Sequence, residues 1–334
     1  MIHSHKFPKA LVAAIAVLSL AACSSNTKTA ESSPTPSTNS PITIGFSAPD
    51  LSASFWVSMT YGVNDEAKKL GVKVIDVNAG GDANANQQIT QLQDLLQRKV
   101  NALIVGATDG DAVRPIVEQA IAQGVPVVGL SSLPNTPKLT SAVFTDNAGM
   151  GKIQAECLGK VLNNTGSIAM FAGPVGQSWA ENRAKGFKDT LAAEFPNVKV
   201  LTTTNTADNR NSALSTMQDI MQRYPKINGV YTVTDDLGAG VVDALRAAKL
   251  DQKVKVASAN FSPTSQALVA DGGFVCIAVQ EIVTQGREAV RQAVKAARGE
   301  AVTAQVVTPV VKVTKENLNT LDLSAVRAPE GYKP

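Results

Sequence analysis

Histidine is nearly absent from this chain: it has two, His3 and His5, both at the extreme N-terminus. That scarcity excludes Ser-His-Asp and Cys-His nucleophilic arrangements and His-based metal sites from the rest of the chain, because each needs an imidazole as base or ligand. Charge of one sign is also lacking, with 31 basic and 28 acidic side chains. If Lys6 and Lys9 leave with a leader, the balance falls to +1. A chain this close to neutral carries no electrostatic footprint for nucleic acid. Aromatic residues make up 4% of the chain, with two tryptophans, Trp56 and Trp179, so each ring beside a loop is informative. No phosphate-binding loop completes itself, since Gly151-Lys152 is followed by Ile153 where Ser or Thr is required. Gly-x-Ser-x-Gly and His-Glu-x-x-His are missing as well. Carboxylates are abundant enough to form a glycosidase pair, but abundance alone is a weak signal. Neither an enzyme nor a bound cofactor is expected.

The N-terminus indicates export. Lys6 and Lys9 precede an apolar run, Ala10 to Leu20, that ends in Ala21 and Ala22 before Cys23. This is the pattern of a secretory signal, here residues 1–22, and the run is too short to span a bilayer comfortably. Leu20-Ala21-Ala22-Cys23 resembles a bacterial lipobox, which implies a lipidated Cys23 and a membrane anchor. The alternative is an ordinary cleaved signal with a chance cysteine. Residues 23–41 are mostly Ser, Thr, Asn and Pro, unable to bury enough surface to offset ordering entropy, and are expected to form a flexible tether. Outside the cytoplasm, Cys157 and Cys276 can pair, or they can be separate buried thiols; both alternatives stay open.

From Ile42 onward, short β-branched runs alternate with helical patterns. Ile42 to Ser47, Val72 to Val77, Ala102 to Gly106 and Val125 to Leu130 read as strands, with helices over Phe55 to Leu70, Asn84 to Arg98 and Val113 to Gln123. A second series follows, with strands at Ser167 to Ala172, Val198 to Thr203, Gly229 to Val233, Lys255 to Ala259 and Phe274 to Val279. The strands are apolar almost throughout, as expected of parallel strands covered on both faces. The pattern predicts an α/β fold of two doubly wound parallel-sheet lobes, about twice the usual domain length. In such sheets ligands bind beyond the carboxyl ends of the strands.

The loops at those ends carry Ser54-Phe55-Trp56, Thr145-Asp146-Asn147 and Arg183-Ala184-Lys185-Gly186-Phe187. Thr234-Asp235-Asp236 follows, before Gly238-Ala239-Gly240, and then Asn260 and Gln280. In order and spacing this series resembles the ribose- and galactose-binding family of type I periplasmic solute-binding proteins. The resemblance runs from Ile42 to about Val313. It implies three crossings between lobes, near Asp146, near Gln280 and over Gln305 to Pro309. Residues 42–146 plus 281–306 would form one lobe and 147–280 plus 307–334 the other. It further implies a monomer that closes on a small sugar or polyol and is recognised by the permease of an ABC transporter.

The expected ligand-binding set is Phe55, Trp56, Ser131, Ser132, Trp179, Glu181, Asp208, Arg210, Thr234, Asp235, Asn260 and Gln280. Flat rings pack on the C–H faces of a sugar, while polar side chains pair its hydroxyls. For each polar residue the alternative is a loop side chain capping the next helix, and for each ring a place in the core. Arg210 is expected to act as a donor or to hold Asp208, and Arg183 to be structural. Ribose-type members carry an Asp-Arg pair where this chain has Ser131-Ser132, and an arginine where it has Glu181. Losing those guanidinium forks favours a small neutral sugar or sugar alcohol, leaves a cationic ligand open, and argues against sugar acids and phosphates. Sugar-responsive repressors share the two-lobed core but carry an N-terminal helix-turn-helix in place of this signal and tether. A sensory binding protein reporting to a membrane receptor is the alternative to uptake.

Overall fold

The computed structural model describes residues 41–334. The signal, Cys23 and all of the tether except Pro41 lie outside the described residues.

The first lobe begins with β1 (Thr43–Ala48), α1 (Ser54–Leu70), β2 (Lys73–Asn78), α2 (Ala85–Gln97), β3 (Ala102–Val105), α3 (Arg114–Ala122), β4 (Val127–Leu130) and β5 (Ser141–Thr145). The chain then crosses into α4 (Asn147–Val161), β6 (Gly166–Phe171), α5 (Ser178–Glu194), β7 (Val198–Thr204), α6 (Arg210–Arg223) and β8 (Gly229–Thr232). The second lobe continues with α7 (Asp235–Ala247), β9 (Lys255–Ala259), α8 (Pro263–Ala270) and β10 (Cys276–Gln280). It crosses back for α9 (Ile282–Ala297) and β11 (Gln305–Thr308), and again into β12 (Val310–Val313), before the short α10 (Leu323–Val326).

Each lobe holds one six-stranded sheet, ordered β11-β5-β4-β3-β1-β2 and β12-β10-β9-β8-β6-β7. The first sheet is wholly parallel, and in the second β12 alone runs antiparallel, against β10. This is the type I periplasmic binding protein fold. Inner strands such as β3 and β8 are buried along their whole length because helices cover both faces, whereas the edge strands β2 and β7 are mostly half-buried or exposed. Strand order reverses beside β1 and beside β6, which opens a crevice at the carboxyl ends of both sheets.

The sequence pattern omitted β5, whose five residues follow a loop without a strong turn signal, and it stopped short of α9, β11 and β12. One boundary also moves. Thr308 still pairs with Thr145 of the first sheet, so the third crossing falls at Pro309, two residues past the expected break after 306. The C-terminal segment packs on the second lobe through Leu318, Leu321, Leu323 and Val326, but its last residues also reach the first lobe. Ala328 donates its N–H to Ser58 Oγ, and Tyr332 meets Tyr61 edge-on at 5.1 Å, because α1 presents a partly apolar face there. Arg327 bonds Gln266 on α8, so the tail touches both lobes.

Cys157 on α4 and Cys276 on β10 are disulfide-bonded, closing a separation of 119 residues within the second lobe. Of the two alternatives the sequence left open, the structure has the bridge.

Candidate functional site

A cavity of about 710 Å³ lies between the lobes, lined by the loops that follow the strands of both sheets. Phe55 and Trp56 enter it from the start of α1, meeting edge to face with centroids 5.3 Å apart. Trp56 is 7% exposed and also belongs to the first lobe's core, so the two alternatives for this ring hold together. Its indole lies over Gly106, where an added Cβ would come within 2.2 Å of the ring; only glycine leaves room.

Trp179 enters from the opposite lobe at the start of α5. Its indole N–H donates to Gln177 Oε1 at 3.1 Å, and Gln177 Nε2 donates across the cleft to the Thr108 carbonyl at 2.7 Å. The Arg183 guanidinium sits 5.4 Å from the Trp179 ring centroid. Four residues apart on α5, these two side chains share a helix face, and Glu181, two residues from each, points the other way. Glu181 is accordingly exposed and lies outside the cavity, a correction to the expected set.

Arg210 is the second correction. It is the first residue of α6, where Asn209 is the cap, accepting from Ser212 N–H at 2.9 Å. From there Arg210 forks onto Asp243 of α7, at 2.6 and 2.9 Å, and neither reaches the cavity nor holds Asp208.

The remaining expected residues all line the cavity. Ser131 and Ser132 follow β4, Ser131 with a left-handed backbone at φ 61°. Asp208 accepts a short hydrogen bond from the Thr234 hydroxyl, which also caps α7. Asp235 is tied into the protein, accepting from Ser262 N–H at 2.9 Å and from the Ser265 hydroxyl. Gln285 of α9 donates to Gln280 Oε1 at 2.9 Å, and Gln280 donates to Asn260 Oδ1 at 2.7 Å. This relay crosses the hinge, occupies the Asn260 carbonyl and leaves its amide hydrogens to donate.

Several lining residues were not anticipated: Asp50, Asp82, Asn84, Thr108, Asp109, Asn147, Gln177, Asp236 and Arg183. Asp82 was findable, as it follows the Gly80-Gly81 turn after a strand. Arg183 carries out the structural work expected of it, donating to the Val233 carbonyl and, at 2.7 Å, to Asn147 Oδ1, yet it also borders the cavity. Burial brings its pKa down to about 10 and leaves Nε without a partner. Burial pushes the Asp208 carboxyl up to about 7, the Thr234 bond opposing this and neighbouring carboxylates reinforcing it. Asp236 rises to about 6 for the same reasons, with Arg210 partly offsetting them, and Asp82 is raised by burial and by Asp50. No cluster of three metal-ligating side chains occurs among the described residues.

The model of the periplasmic binding protein domain matches residues 44–301. The ribose import binding protein of Bacillus subtilis is 32% identical over 209 residues, covering 63% of this chain and 67% of that protein. The xylitol-binding protein of Mycolicibacterium smegmatis is 28% identical over 277 residues, 83% of this chain and 78% of its own. Among solved structures, the Caulobacter myo-inositol binding protein bound to myo-inositol superposes with a TM-score of 0.80 at 30% identity, covering 86% of this chain and 97% of the other. These relatives are binding proteins and not enzymes. With its two parallel-sheet lobes, three crossings and interlobe cavity, the chain belongs to the periplasmic binding protein family.

Proposed function

We propose that this protein captures a small sugar or sugar alcohol between its lobes and delivers it to an ABC importer. The cavity carries the reading: rings from both lobes, Phe55 and Trp56 against Trp179, face a space rimmed by hydroxyl, amide and carboxylate groups. Aromatic faces suit the C–H surfaces of a polyol, and the polar rim replaces the water its hydroxyls lose. Ser131, Ser132, Asp208, Thr234 and Asn260 pair hydroxyls in this reading, with Gln280 acting through Asn260 and Asp235 positioning the loop after β9. Relatives whose names specify ribose and xylitol, and one solved with myo-inositol, support the same ligand class. Bound ligand touches both lobes and favours the closed arrangement, which is what an importer recognises. A lipid on Cys23 would hold the protein near that importer through the tether.

The test is the melting temperature of the protein from Ser40 onward against pentoses, hexoses, pentitols, inositols, nucleosides and amino acids, since a ligand of the folded state raises it. A shift with a sugar or polyol, lost in Trp179→Ala, is expected. A shift with only a nucleoside or an amino acid overturns the ligand class. For the anchor, the full chain should incorporate labelled fatty acid in cells and Cys23→Ala should not; equal labelling of both removes it.

A further inference from the structure

The loop Gly173-Pro174-Val175-Gly176 leads from β6 into α5, and Pro174, Val175 and the following Gln177 line the cavity. Gln177 holds the N-cap position of α5, yet its side chain makes no capping bond. Glutamine is not among the side chains that cap well, so capping does not account for its presence there. Its carboxamide is instead engaged at both ends. Oε1 accepts the Trp179 indole N–H at 3.1 Å within the second lobe, and Nε2 donates to the Thr108 carbonyl of the first lobe at 2.7 Å.

The receiving side is held firmly. Thr108 is wholly buried, and Gln88 of α2, also wholly buried, accepts its N–H and its hydroxyl, both at 2.8 Å. The same amide donates to Ser47 Oγ at 3.1 Å and to the Gly106 carbonyl at 2.7 Å. All four hydrogen-bonding positions of Gln88 are thus filled, which fixes one geometry for the loop after β3. That loop includes Gly106, over which the Trp56 indole lies. A chain of hydrogen bonds therefore runs from Trp179 through Gln177 to Thr108 and Gln88, tying the aromatic wall of one lobe to that of the other.

We propose that Gln177 is an interlobe latch, its bond to the Thr108 carbonyl forming as the lobes close and stabilising the closed arrangement whichever ligand is held. Donor and acceptor both belong to the protein, so the contribution does not depend on the pattern of hydroxyls in the cavity. The bond must break before ligand can leave but is not required for ligand to enter, so it acts on release. Gln177 is a positioning residue in this scheme, holding Trp179 with one end of its amide while the other end joins the first lobe. The inference depends on the carbohydrate reading above for its probes alone.

Stopped-flow fluorescence of the two cavity tryptophans, with D-ribose, xylitol and myo-inositol as probes, tests this. Gln177→Ala should speed dissociation roughly three- to tenfold for every probe that binds, the size of one uncharged hydrogen bond, with association little changed. Gln177→Glu keeps an acceptor for the Trp179 N–H but sets a carboxylate against the Thr108 carbonyl, and should release ligand at least as fast. Circular dichroism checks that both variants fold, and no cap is lost with the side chain. Wild-type release from Gln177→Glu beside fast release from Gln177→Ala would mean that Gln177 acts through Trp179 alone, and the latch would be overturned. An effect carried by association, an effect confined to one probe among several that bind, or no effect at all would overturn it equally. If none of the three binds, the carbohydrate reading fails for these probes and small-angle X-ray scattering of the ligand-free protein decides the latch. A larger radius of gyration in Gln177→Ala than in the wild type supports it, and an equal one overturns it.

Discussion

Asp208 shows how one residue's surroundings decide its chemistry. An aspartate whose folded pKa is raised to about 7 binds more protons folded than unfolded between the ordinary carboxylate range and neutrality. Its contribution to stability is therefore fullest at low pH and is lost as pH rises through that window. Asp208→Asn, which keeps the shape without the charge, should melt at a higher temperature than the wild type near pH 7. The two melting curves should converge as pH falls below about 4. A constant offset at every pH would mean that the charge is not what matters. Spacing made Trp179 legible as a ring beside a loop, but not the helix face it shares with Arg183. The expected set therefore took Glu181 and passed over its neighbour two residues on. Arg210 misled for a related reason: closeness to Asp208 in sequence says nothing about Asp243, which lies across a helix pair.

At the scale of elements, both lobes use the same device to bring two helices together. A Cβ on Gly62 of α1 would meet the Val283 carbonyl of α9 at 2.3 Å, and one on Gly286 of α9 would meet the Met59 carbonyl at 2.4 Å. In the second lobe, Gly151 of α4 faces the Arg183 carbonyl at 2.0 Å, and Gly186 of α5 faces the Ala148 carbonyl at 2.2 Å. Backbone on both sides leaves no flexible side chain to yield. Gly151→Val should thus destabilise the protein by about 1–3 kcal/mol or more through overpacking. It should weaken ligand binding as well, because α5 carries Trp179 and Arg183. Thermal unfolding by circular dichroism measures the first effect, and an unchanged midpoint would refute the close-packing argument. The βα rhythm exposed most of the other elements as far as β10, since parallel strands covered on both faces are apolar throughout, but it did not reach α9, β11, β12 or α10. β5 escaped because five residues after an irregular loop leave too little pattern.

For the whole molecule, the 119-residue bridge from Cys157 to Cys276 encloses most of the second lobe and none of the first. Closing so long a loop restricts the unfolded chain, so reduction should cost that lobe roughly 3–5 kcal/mol. Denaturant unfolding with and without a reductant would record this as an earlier transition for part of the signal; coincident curves would contradict it. The last residues of the C-terminal segment reach from the second lobe to the first because Ser58 and Tyr61 on α1 give Ala328 and Tyr332 partners there. By itself the sequence determined the two-lobed α/β architecture, the absence of imidazole chemistry, and a loop-borne site at the strand ends. Those properties follow from local periodicity and residue inventory. Tertiary structure alone decided that Cys157 and Cys276 meet, that Arg183 and not Arg210 borders the cavity, and that carboxylates of both lobes line the same cavity. Each depends on contacts between residues far apart in the chain, which periodicity along one segment does not encode.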